Sequence, residues 1–269
     1  MFARISAFAI AAVIACPAWA TPSDDLLTAL GVREIVDVMR AEGLDYGDEL
    51  ARDMLPGGRS SAWSAAVSTI YDTDWMYETV RTEFAATLGD EDLSPLLAYF
   101  TSEEGRRIVE LELEARRAMV DADVEDMARA TFSDLDGSGD KRLERLEAFV
   151  EANDLIEANV TGALNASFKF YSGLVEGGAL EMSEAEILAD VWAQEDETRE
   201  DTREWLYGYL LLAYGPLSDD VLEGYIDLSS SPAGQLMNRA LFAGFNTMYD
   251  DISRQLGHAS ALQMQAQEL

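Results

Sequence analysis

The 269 residues hold only two lysines, one histidine and one cysteine. Each scarcity excludes something. His258 is the only histidine and lies close to the C-terminus, so no Ser-His-Asp or Cys-His arrangement assembles around it. No G-x-S-x-G, H-E-x-x-H or Walker loop occurs. Positive charge is sparse against 51 acidic residues, and the formal charge of −32 repels nucleic acid and anionic lipid alike. Carboxylate pairs are unavoidable at that density, so a pair by itself does not argue for a hydrolase. A carboxylate-based hydrolase stays open as an alternative and needs a pocket holding a desolvated Asp or Glu.

Long apolar runs are missing too. The one at the N-terminus, Ile5 to Ala15, is shorter than the roughly 20 residues that cross a bilayer. Arg4 precedes it and Ala18-Trp19-Ala20 follows it, which is the pattern of a secretory signal peptide over residues 1–20 with cleavage after Ala20. Lipidation at Cys16 fits poorly, because Val13 and Ile14 stand where leucine and a small residue are expected and Pro17 follows directly. Cleavage removes the only cysteine, so the mature chain has no disulfide and no thiolate. The expected location is the periplasm or outside, with no transmembrane segment after cleavage.

Alternating strand patterns and Asn-Gly hairpins are absent, and six prolines only punctuate the chain. What is present is helical periodicity. Leu26, Leu27, Leu30, Ile35, Val36 and Met39 share a helical face, and Pro56-Gly57-Gly58 breaks the run. Helices are expected from Trp75 to Gly89, over a short stretch at Asp92–Phe100, and from Ser102 to about Ala130. Asp154 with Glu157, and Ser183 with Glu186, have capping-box spacing. Trp205 to Tyr214, nearly apolar all round, reads as a central core helix, with a groove for a lipid or partner helix as the lesser reading. Asn159 and Asn165 read as interhelical partners or exposed residues. A last helix is expected from Ser231 to about Gly257, with a flexible tail over 259–269.

A repeat emerges at a spacing of 129 residues. It lays Leu88 on Leu217, Asp90 on Asp219, Leu93 on Leu222, Ser102 on Ser231, Gly105 on Gly234 and Met119 on Met248. With one residue of slack, Trp75-Met76-Tyr77 meets Trp205-Leu206-Tyr207. Both serines stand where a helix begins, and a serine there accepts from an orphan backbone N–H. The glycines suit close approach of the preceding helix. The expected architecture is all-α, a helical bundle of two related helical-repeat halves. These are residues 21–132 and 150–258, joined by an acidic Asp/Gly linker and connecting helix over 133–149.

The corners "YFTSEEG" and "SSSPAG", with Trp-x-Tyr helices ahead of them, resemble an uncharacterised exported all-helical family, domain of unknown function 2059. The first corner has Glu103 where the family usually has proline, and the second has Leu228-Ser229 in place of the aromatic pair. The resemblance implies an all-helical fold and export. It carries over no catalytic residue.

One motif points to an ion. From Asp134, the residues Asp134, Asp136, Ser138 and Asp140 fill positions 1, 3, 5 and 7 of a calcium loop, with Gly139 at 6. The second half departs from the pattern: Lys141 takes the apolar position 8 and Arg145 the position of the bidentate glutamate. The alternative is a turn, with Asp140 capping the next helix. The function expected from these readings is a non-enzymatic interaction or accessory protein with a protein partner in the periplasm and no nucleic acid. A weak calcium-binding module at Asp134–Asp140 is the second alternative.

Overall fold

A computed structural model describes residues 21–55 and 57–267, and the expected signal peptide with Cys16 lies outside them. Thirteen α-helices and no strand occur among the described residues. The first six are α1 (Pro22–Ala29), α2 (Val32–Met54), α3 (Ser61–Ile70), α4 (Thr73–Leu88), α5 (Ser94–Phe100) and α6 (Glu103–Ala118). Then follow α7 (Ala122–Leu135), α8 (Lys141–Ala152), α9 (Leu155–Glu176), α10 (Glu184–Trp192), α11 (Glu195–Tyr214), α12 (Asp219–Ser230) and α13 (Pro232–Gln267). No described helix is long and apolar enough to cross a membrane. The fold is all-α, as the periodicity requires.

The two serine corners share one geometry. Ser102 Oγ accepts from the Gly105 N–H at 3.1 Å, and Ser231 Oγ accepts from the Gly234 N–H at 3.1 Å. A Cβ on Gly105 would lie 2.1 Å from Tyr99 O, and one on Gly234 2.2 Å from Leu228 O. Each glycine lets a helix start directly against the backbone of the one before it. Ser102→Ala and Ser231→Ala each remove a cap and are expected to lower stability by about 1 kcal/mol in urea unfolding. A loss near zero would mean that water replaces the hydroxyl.

The long helices cross the corners. Helix α4, ahead of the first corner, packs on α13, which follows the second; α11, ahead of the second, packs on α6, which follows the first. One cluster of buried residues therefore runs from Leu26 to Leu256. Helix α11 supplies Leu206, Tyr207, Leu210, Ala213 and Tyr214 to it, the central role expected of Trp205–Tyr214.

Four local expectations are corrected. The first helix divides at Gly31, whose φ of +63 ends α1 in a left-handed turn. The helix from Ser102 stops at Ala118, and Asp121 restarts the chain by accepting from the Asp123 N–H at 3.0 Å. Asp154 forms no capping box: it sits at φ +53 with no side-chain cap bond, and Glu157 pairs with Arg199 instead. The Ser183–Glu186 box does form. The last helix continues beyond Gly257 through Gln267, and Ser260 and Ala261 are fully buried rather than part of a loose tail. Gly257 is a crossing point: a Cβ there would lie 2.0 Å from Phe170 O of α9.

Candidate functional site

The stretch from Asp134 to Asp140 is a helix-to-helix turn. Asp134 is exposed in the last turn of α7. Asp136 is the C-cap of α7, and its carboxylate accepts from the two terminal guanidinium nitrogens of Arg203 at 2.9 and 3.0 Å. That hydrogen bonding holds the Asp136 carboxyl below its usual range. Ser138 Oγ accepts from the Asp140 N–H at 3.2 Å. Asp140 Oδ1 caps α8, accepting from the N–H groups of Arg142 and Leu143 at 2.9 and 3.0 Å. Gly137 and Gly139, at φ +70 and +76, turn the chain. Arg145, in the place of the calcium-binding glutamate, pairs with Asp219 and Glu223. Asp136 is thus held by a cation and Asp140 acts as a cap, while Asp134 is exposed. No group of three or more His, Cys, Asp or Glu that could hold a metal occurs among the described residues.

A second constellation was not visible as such in the sequence. Glu112, midway along α6, shares a face with Ile108 and Ala115, so it enters the core on an apolar stripe. Tyr214 of α11 donates to Glu112 Oε1 at 2.6 Å, and Tyr225 of α12 donates to the same oxygen at 3.1 Å. Tyr209 donates to the Glu112 carbonyl at 3.2 Å. Tyr99 stacks on Tyr225 with centroids 6.1 Å apart, and its buried hydroxyl has no partner. Part of the Glu112 residue reaches solvent, yet protein crowds its carboxyl, and this desolvation raises the carboxyl pKa while the two tyrosine bonds pull it down. Desolvation lifts Tyr99 to about 12, with Glu104 and Glu112 adding to it. The arrangement holds a proton well, but neither groove described next is lined by Glu112. The missed signal was a glutamate at i+4 from Ile108 in an otherwise apolar row.

Two grooves are lined in part by α9. A shallow one of about 600 Å³ between α3, α9 and α13 has Ile70, His258 and the Glu176–Arg254 pair on its walls. His258 is exposed there. A more enclosed one of about 350 Å³ lies between α9, α10 and the start of α11. Val160, Leu164 and Phe168 line it from α9, and Leu188, Val191 and Trp192 from α10. Val160, Leu164, Ile187 and Val191 form a small apolar cluster apart from the main core. Leu188 is 46% and Trp192 55% exposed, so a large apolar wall faces water.

The rim of this groove is polar. Glu157, Glu184, Glu195 and Arg199 surround it, and Arg199 bonds to Glu157 and Glu195, the latter at 3.0 Å. That pairing lowers the Glu157 carboxyl and raises Arg199. Asn165 also lines the groove, whereas Asn159 donates back to Leu155 O at 2.7 Å. Comparison with known proteins adds no relative: no family model, curated protein or solved structure matches the chain.

Proposed function

We propose that the chain is an exported, periplasmic helical protein that works without catalysis, as an interaction or accessory protein binding a protein partner on its helical surface. The observation that carries this is the groove of α9, α10 and α11. An isolated apolar cluster there leaves Leu188 and Trp192 open to water, at a cost that a partner's apolar surface would remove. The buried carboxylate of Glu112, the natural centre for hydrolase chemistry, is committed to two tyrosine hydroxyls within the core.

Export has a support of its own. Thr21, the residue after the expected cleavage point, is the N-cap of α1. Its Oγ1 accepts from the Asp24 N–H at 3.2 Å, and its backbone nitrogen donates to Asp24 Oδ2 at 3.0 Å. Cleavage after Ala20 would make that nitrogen an ammonium, and the Asp24 carboxylate is in place to balance it. Membership of the exported helical family suggested by the two serine corners belongs to the same proposal.

The test is a photo-reactive residue at Leu188, compared with one at exposed Glu91 in the turn before α5, in cells that export the protein. One discrete adduct from Leu188 and none from Glu91, on a chain whose N-terminal residue is Thr21, is the expected outcome. An unlinked Leu188, together with turnover of a substrate by the pure protein, would sink the reading.

A further inference from the structure

We infer that the α9–α10–α11 groove takes a short amphipathic helix whose apolar side chains are flanked by lysine or arginine, an inference that rests on the interaction reading above. Geometry sets the shape of the occupant. Val160, Leu164 and Phe168 follow one another at intervals of four along α9. They make an apolar floor of about 12 Å at 1.5 Å per residue, the length of two turns of a partner helix, with Val160 and Leu164 themselves buried in the seam with α10. A cavity of about 350 Å³ receives a few side chains of such a helix, not the helix itself. Leu188 and Trp192, four residues apart on α10, form the opposite wall. A helix laid over that floor, against Leu188 and Trp192, presents apolar anchors at i, i+3 or i+4, and i+7.

Charge sets the chemistry. Three carboxylates and one guanidinium rim the groove, and Arg199 is already held by Glu157 and Glu195. Glu184 stands at the N-terminal end of α10 with no cation on it among the described residues. The stretch that builds the outer wall is more one-sided still: from Glu181 to Asp201 nine carboxylates meet a single arginine. An anionic or neutral segment gains nothing from such a rim. A basic one is steered to it and held in register over the apolar floor.

The test uses fluorescein-labelled 14-residue helices with the same leucine face and Lys, Gln or Glu on the polar face. Binding to the mature protein is followed by anisotropy at about 0.15 M salt, where exposed charges are screened beyond about 8 Å. The Leu/Lys helix is expected to bind saturably and at least tenfold tighter than the Leu/Gln helix. Leu188→Asp is the informative variant, because it adds negative charge while spoiling the apolar wall. Groove binding predicts at least a tenfold loss for the Leu/Lys helix. Diffuse attraction to an acidic protein predicts no loss or a gain, which would overturn the inference. Trp192→Ser, a second exposed position, should weaken binding in the same sense. Equal binding of the Leu/Gln and Leu/Lys helices would remove the basic partner and leave the groove standing. Failure of all three helices would end the inference alone, since the Leu188 cross-link decides the wider reading separately.

Discussion

Glu112→Leu should be less stable than Glu112→Gln in urea unfolding, by about 1–3 kcal/mol for each tyrosine hydroxyl left without an acceptor. Both replacements are neutral, so the comparison removes the cost of a buried charge. What differs is the acceptor. Glutamine still offers an oxygen to the hydroxyls of Tyr214 and Tyr225, whereas leucine offers none and leaves at least one of the two donors unpaired inside the core. An unmade bond to a buried donor costs about 1–3 kcal/mol. Equal stabilities would mean that water reaches the two hydroxyls.

The same glutamate gives a pH dependence of definite sign. Desolvation raises the Glu112 carboxyl in the folded chain. Between the ordinary glutamate pKa of about 4.3 and the raised folded value, the native state binds more protons than the unfolded one. Stability from this group is therefore fully present below that window and falls as pH rises through it. Wild type is expected to lose stability relative to Glu112→Gln as pH rises from about 4.3, the ordinary glutamate value. A wild type that gains on the variant with rising pH would show that the tyrosine bonds outweigh burial. The comparison with the variant matters, because the whole acidic surface also repels itself less as pH falls.

The second large effect is expected at the α9–α13 crossing. Gly173 and Gly257 face each other across it. A Cβ on Gly257 would lie 2.0 Å from Phe170 O, and one on Gly173 2.2 Å from Arg254 O and 2.7 Å from the His258 nitrogen. These are backbone atoms of packed helices, with no flexible side chain to swing aside. Alanine at either position improves helix propensity by about 1 kcal/mol but forces the helices apart, at about 3 kcal/mol, the upper end of the usual cost, because backbone atoms stand in the way. Packing wins, and net destabilisation should appear in both urea and thermal unfolding. Gly224→Ala is the contrasting case. Gly224 lies within α12 with nothing inside 4 Å of a Cβ, so propensity acts alone and stability should rise by up to about 1 kcal/mol. If Gly257→Ala proved as harmless as Gly224→Ala, the close crossing would be wrong.

Much of this protein is decided by its sequence. Period-3.6 patterning with no strand signal fixes an all-α fold. Ser102, Ser231 and Ser183 start helices where they stand, because a hydroxyl beside orphan N–H groups acts within three residues and needs no distant partner. Asp140 caps α8 for the same reason. Other outcomes required the folded chain. Gly257 reads locally as a helix stop, yet it is a crossing point because α9 lies against it. Asp154 has the spacing of a capping box, but Arg199, 42 residues on from Glu157, takes the glutamate instead. Asp136 fits a calcium pattern, and Arg203 holds it. Glu112 is one acid among 51 until Tyr214 and Tyr225 close over it. The groove at Leu188 and Trp192 likewise exists only where α9 and α10 meet. Caps and turns are settled by neighbours along the chain, whereas the fate of a carboxylate or a glycine depends on which surface the fold presses against it.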